Sequence, residues 1–177
     1  DKDFLDYPDL KQSELFDYYR RARKLPQTAA ANPQDYETFF QQCLVRHDAV
    51  VHIAKSSGMS SCYDNAVIAA NGMEHVYVVD SQSISSGSAL LAMEAVRQKE
   101  SMGAKELETY LCGYREKIIG NFIIETLEYL HEGGRCSTLA FLGASTLQIR
   151  QSINIREGKL VVGKKYMGTY KRSLRDY

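Results

Sequence analysis

Two short polar runs carry the hydroxyl groups most able to bind or transform a ligand. Ser56, Ser57, Ser60 and Ser61 follow the apolar run Ala49 to Ala54, and Ser81, Ser83, Ser85, Ser86 and Ser88 follow His75 to Val79. Each hydroxyl can donate one hydrogen bond, and a carboxylate or phosphate can be held by several such donors without a formal cation. The same serines also suit loop turns and helix N-caps whatever the ligand, so the hydroxyls alone leave an anion site and a purely structural role both open. Nucleophilic use of Ser60 or Cys62 is the other chemistry to weigh, because a helix start can activate a thiol, although a small packed residue is the simpler role for Cys62. It needs a base, and His47, His52, His75 and His131 show no pairing pattern with an acid, while a GxSxG elbow is absent. The sequence has no HExxH, P-loop or GxGxxG motif, so metal hydrolysis, ATP hydrolysis and dinucleotide redox lack their usual parts.

The elements that must position these groups follow from periodicity. Ser13 is placed to cap a helix carrying Leu15, Phe16, Tyr18 and Tyr19, stopped by Pro26. Asn32-Pro33 with Asp35 starts a second helix, in which Tyr36, Phe39, Phe40, Leu44 and Val45 recur at helical spacing. AVVHIA (49–54) and HVYVV (75–79) are expected to be strands buried on both faces, with a helix over Tyr63 to Asn71 between them. Helices are then expected over Ala89–Ser101, Ala104–Arg115 and Ile118–His131, the last closed by Gly133-Gly134. Beyond them come a short helix over Ser137–Leu147 and a hairpin of Ile149–Ile155 with Lys159–Gly163 around Glu157-Gly158. Strand, polar loop and helix in repetition is the pattern of an α/β fold, a parallel sheet with crossover helices. In such a sheet a ligand settles outside the carboxyl ends of the strands, where both serine runs lie. Met59, Tyr63, Phe122, Ile123, Leu127, Phe141 and Leu142 are either simply core or the walls of a slot that would suit a ligand with a polar head and a hydrocarbon tail.

Composition agrees with an ordinary packed protein: 177 residues, 44% hydrophobic and 25% charged, with 22 basic residues balancing 22 acidic ones. A neutral total gives no global field to draw the chain onto nucleic acid. The charge is unevenly spread, however, since residues 150–177 carry a net +6 and the remainder −6. Such a tail is most simply a solvated face and alternatively a docking surface. Cys43, Cys62, Cys112 and Cys136 have no CxxC spacing, which argues against a zinc site or a disulfide framework and fits a cytoplasmic setting.

Five segments in this order resemble the DegV family of bacterial fatty-acid-binding proteins: LPQTAAANPQDY (25–36), VVHIAKSSGMSSCYDNA (50–66), VYVVDSQSISSGSALLAMEA (76–95), TLEYLHEGGRCS (126–137) and FLGASTLQIRQSINIREGKL (141–160). The resemblance implies two α/β lobes with a long-chain fatty acid between them. Residues 1–132 are then a first lobe lacking its first strand, and 133–177 the start of a second whose C-terminal part is missing. It implies lipid binding without catalysis, with no cofactor beyond the bound fatty acid, which is presented to the catalytic subunit of a fatty acid kinase. The implied setting is cytoplasmic, with no nucleic-acid partner and at most transient membrane contact. The family's TSQPS-like loop corresponds to Thr28–Asn32 and its SSxLSGTY loop to Ser56–Tyr63, making Thr28 and Ser60 the implied carboxylate ligands, seconded by Ser57 and Ser61. Arg135 and Arg150 are implied for head-group electrostatics or partner docking. The sequence departs from the family pattern at Ala29, Ser61, Cys62, Gln151 and Met167, where serine, glycine, threonine, proline and arginine are usual. The alternative is a Ser- or Cys-dependent acyl hydrolase or transferase.

Overall fold

The fold was analysed in a computed structural model, which describes residues 11–135 and 149–177. Helix α1 (Gln12–Ala22) starts one residue before the expected cap: Lys11 is the N-cap, and the helix ends where Arg23 turns left-handed at φ 53°. Helix α2 (Pro33–Leu44) opens as the sequence predicts. Asn32 accepts from the Asp35 amide, Asp35 reciprocates onto the Asn32 amide, and Pro33 holds the first helical position.

Strands β1 (Val50–Ala54) and β2 (Val76–Asp80) pair in parallel from Val50↔Val76 to Ala54↔Asp80, joined through helix α3 (Cys62–Ala70). Alternate residues face opposite ways. Val50, Val76 and Val78 pack with Phe40, Ala66 and Ala69 of α2 and α3. Val51, Ile53 and Val79 pack with Leu91, Leu107 and Leu111. Those leucines come from helices α4 (Ser86–Gln98) and α5 (Ala104–Tyr114). The pair is thus covered by helices on both faces, the layering expected of a parallel sheet. Full burial is expected for β1 and is reached only by Ala54; among the described residues the parallel sheet has two strands.

A single-turn 3₁₀ helix, Arg115–Lys117, follows α5. The helix expected over Ile118–His131 is replaced by strand β3 (Asn121–Ile124) and the short helix α6 (Glu128–Glu132). Phe122-Ile123-Ile124 is strand-favouring, and tertiary pairing decides the outcome. Ile155 donates its amide to the Gly120 carbonyl, and a side chain on Gly120 would come within 2.7 Å of Ile155 Cδ1. The Thr126 hydroxyl accepts the Glu128 amide and starts α6. The helix expected at Ser137–Leu147, with Phe141 and Leu142, lies outside the described residues.

Strand β4 (Ile149–Arg156) pairs antiparallel with β3 and with β5 (Lys159–Met167), giving a second sheet in the order β3-β4-β5. β5 runs four residues past its expected end at Gly163, extended by Tyr166, which is buried and takes Arg150 as its cross-strand partner. Glu157 and Gly158 form the two-residue turn, both at positive φ (49° and 73°), as this hairpin type requires. Helix α7 (Tyr170–Asp176), capped by Thr169, sets Tyr177 edge-on against Tyr166. β3, which precedes residue 133, belongs to this second sheet.

Candidate functional site at the carboxyl edge of the parallel strands

Both serine runs lie at the carboxyl ends of β1 and β2, beside the N-termini of α3 and α4, where unpaired amides favour negative charge. Asp80, the last residue of β2, organises the edge. Its Oδ2 accepts the Ser57 hydroxyl at 2.6 Å, and its Oδ1 accepts the amides of Ser57 at 3.2 Å and Gln82 at 2.9 Å. Its carbonyl accepts from Arg115 Nη1 at 2.8 Å. In the second run, Ser81 Oγ bonds the Ser83 carbonyl at 3.1 Å and the Ser88 hydroxyl at 3.0 Å. Gln82 and Ser85 hold positive φ (47° and 51°), a conformation costly for residues other than glycine and typical of loops shaped for a task.

Ser60 is half-buried at the end of the first run. Its Oγ donates to Cys62 Sγ at 3.0 Å and accepts the Cys62 amide at 3.3 Å. Burial of Cys62 works against ionisation, yet hydrogen bonds from Ser60 and Tyr36, the charge of Lys55 and the Ala31 backbone outweigh it. The thiol therefore sits below its ordinary pKa. Tyr36 is pushed up to about 12, by burial and then by its bond to Cys62. Behind Tyr36, His52 lies edge-on between the Tyr36 and Phe40 rings; its Nε2 is buried without a hydrogen-bond partner, and burial lowers its pKa.

The predicted residues divide into two groups. Ser57, Ser60 and Ser61 share one loop, and Ser61 ends it, its carbonyl taking the Asn65 amide at 2.9 Å. Thr28 is exposed in the segment between α1 and α2, which Asn65 ties to the start of α3 by donating Nδ2 to the Ala31 carbonyl at 2.7 Å. Arg135, just after α6, is exposed and donates to the Gly133 carbonyl. Arg150 lies on β4 with its Nε buried and without a hydrogen-bond partner. Of the expected slot, Ile123 and Leu127 are buried, and Met59, Tyr63 and Phe122 are half-buried. Sequence reasoning passed over Asp80 and Arg115. An acid at the end of a buried strand, just ahead of a serine run, was the available signal for Asp80; nothing in the sequence marks Arg115.

A cleft of about 340 Å³ opens where the loops meet the second sheet, lined by Gln82, Arg115, Ile118, Asn154, Ile155 and Gly158 among others. A larger groove of about 570 Å³ lies at the opposite end of α3 from Ser60, against Ile68 and Met73. Among the described residues, no cluster of His, Cys, Asp and Glu could hold a metal ion, and no helix is long and apolar enough to cross a membrane.

Parallel strands sheathed by helices, with a hydroxyl-lined carboxyl edge facing a second, antiparallel sheet, define a two-sheet α/β protein. The chain belongs to the DegV family, whose model, described as an uncharacterised protein family, matches residues 1–175. A DegV domain-containing protein of Clostridium perfringens is 30% identical over 97% of this chain, and one of Caldanaerobacter subterraneus is 28% identical over 99%. The chain spans only 62% and 64% of their respective lengths. A protein of Thermotoga maritima named fatty acid-binding protein is 28% identical over 93% of this chain and 60% of its own. In fold, the chain matches a fatty-acid-binding DegV protein of Thermus thermophilus at TM-score 0.81 and 24% identity, covering 98% of this chain and 64% of that one. It likewise matches the Fatty Acid Kinase (Fak) B3 protein of Streptococcus pneumoniae loaded with linoleic acid, at TM-score 0.79 and 19% identity over 98% of this chain and 63% of that one.

Proposed function

We propose that this protein binds a long-chain fatty acid, holds the carboxylate on the hydroxyls of Thr28 and Ser60, and presents it to a separate fatty acid kinase without catalysing a reaction itself. The observation that carries the reading is the hydroxyl-rich loop Ser56–Ser61 at the carboxyl edge of a parallel pair, in a chain of the DegV family. It is supported by relatives named for fatty acid binding and for fatty acid kinase.

Thr28 lies three residues before the carbonyl that Asn65 fixes to α3. Ser60 offers its hydroxyl proton to the sulfur of Cys62, and a carboxylate oxygen is the stronger acceptor for the same proton. Ser61 lies beside it as a further donor, whereas Ser57 gives its proton to Asp80 and so shapes the loop. Arg150, whose Nε has no hydrogen-bond partner, and Arg135 supply positive charge toward the head group or a partner. Exposed Lys159, Lys164, Lys165, Lys171 and Arg175 give a kinase a basic surface. The hydrocarbon tail contributes about 0.8 kcal/mol for each methylene buried, so two or three head-group bonds are enough for tight retention.

The lowered pKa of Cys62 favours a second reading, thiol-dependent acyl chemistry. The described contacts of that thiol are with Ser60, Tyr36, Lys55 and the Ala31 backbone, and include no histidine base. For the first reading, the chain carrying Thr28→Ala and Ser60→Ala together should lose retained fatty acid while its circular dichroism stays native. Retention at the wild-type level would refute the assignment.

A further inference from the structure

We propose that Gly158, at the tip of the β4–β5 hairpin, is a positioning residue for the hydroxyl loop: it pins Ser56 and thereby sets Ser60, a role that rests on the fatty-acid reading above. Ser56 is fully buried. Its hydroxyl donates to the Gly158 carbonyl at 2.6 Å, across 102 residues of sequence, and accepts the Gly58 amide at 3.2 Å. Its amide donates to the Ser83 carbonyl at 3.0 Å, and its own carbonyl accepts the amides of Met59 at 3.0 Å and Ser60 at 3.2 Å. Ser56 is therefore the node from which the backbone of Ser60 is hung, and the hairpin tip holds the node.

The approach is too close for any side chain. A Cβ on Gly158 would stand 2.5 Å from Ser56 Oγ, and the backbone there is left-handed at φ 73°. A Cβ on Gly58 would stand 2.6 Å from the Gly158 carbonyl oxygen. Two glycines, one in the serine loop and one in the hairpin turn, thus make room for one buried hydrogen bond. Because Ser56 spends its proton inside the protein, it is a support for the head-group donors and is not itself one of them. A tip displaced by a fraction of an ångström would shift Ser60 relative to the segment carrying Thr28, and hydrogen bonds to a carboxylate weaken steeply with misalignment.

The test compares the wild-type chain with Gly158→Ala, and with Ser56→Ala in case the glycine variant is too strained to fold. Palmitate and methyl palmitate are the probes for affinity, and amide hydrogen exchange is followed across residues 56–62. The expected result is palmitate affinity reduced about tenfold or more with ester affinity unchanged, so that discrimination between acid and ester collapses, together with faster exchange in the loop. A destabilised but correctly set site would weaken both probes alike, which overturns the proposal. Unchanged exchange in both variants overturns it whatever the wild type binds. A wild-type chain that takes up no palmitate, with the loop loosened in the variants, sinks the fatty-acid reading and the positioning role with it, while leaving the pin as a structural contact.

Discussion

The hydroxyl groups at the carboxyl edge divide according to where their protons go. Ser57 and Ser56 donate to Asp80 and to Gly158 in bonds of 2.6 Å each, the second of them buried, and Ser81 donates within its own loop. Ser60 donates to a sulfur, a weak acceptor that a stronger one can replace. That the serine runs gather at one edge was legible in the sequence, because each follows an apolar strand. The allocation of their protons was not legible, because the acceptors Asp80 and Gly158 lie 23 and 102 residues away from Ser57 and Ser56. His52 is half-buried with its Nε2 sealed from water, and this has a measurable consequence. Unfolded, it titrates at the ordinary value of 6.5; folded, burial lowers that value. Below pH 6.5 the unfolded chain takes up a proton that the folded chain refuses, so stability falls as the pH drops from 6.5 toward the folded value and is unaffected well above pH 6.5. Unfolding midpoints measured across that range should decline less steeply in His52→Leu. An identical slope in the variant would place the acid sensitivity elsewhere.

Among the elements, local signals succeeded wherever the chain closes its own hydrogen bonds. The Asn32–Asp35 box lies within four residues and starts α2 where the pattern puts it. Removing its donor-accepting side chain with Asn32→Ala should lower the unfolding free energy by about 1 kcal/mol, read from urea denaturation. An unchanged midpoint would mean that packing of Phe40 alone holds the helix start. The failure at Ile118–His131 has the opposite cause. Leu127 and Leu130 have helical spacing, but Phe122 to Ile124 is claimed by pairing with residues 151–153, a partner no local window contains. Similarly, Tyr19 of α1 is fixed by its bond to Glu132 at 3.0 Å and by edge-on packing against Tyr129. Helical periodicity identifies Tyr19 as an apolar position but not the helix it meets.

On the scale of the whole molecule, two sheets of different kinds meet through loops and turns. The parallel pair was readable from repeated strand–loop–helix order, and the antiparallel sheet only in part, since β3 enters it from before the texture of the sequence changes. The resemblance carried by the five segments reaches the family directly, and the family model covers nearly the entire chain. Arg135 and Arg150, anticipated from that resemblance, fall on the end of α6 and on β4 and share no described contact with the serine loop. Positive charge stands at the serine runs themselves, on Lys55 and Arg115, as well as on Arg135 after α6 and Arg150 of β4.

The central claim is tested most directly by native mass spectrometry of the 177-residue chain purified from a bacterial host, followed by extraction and identification of whatever it retains. The account predicts one long-chain fatty acid per chain. A chain that emerges at its apo mass, and stays there after incubation with long-chain fatty acids, would contradict it.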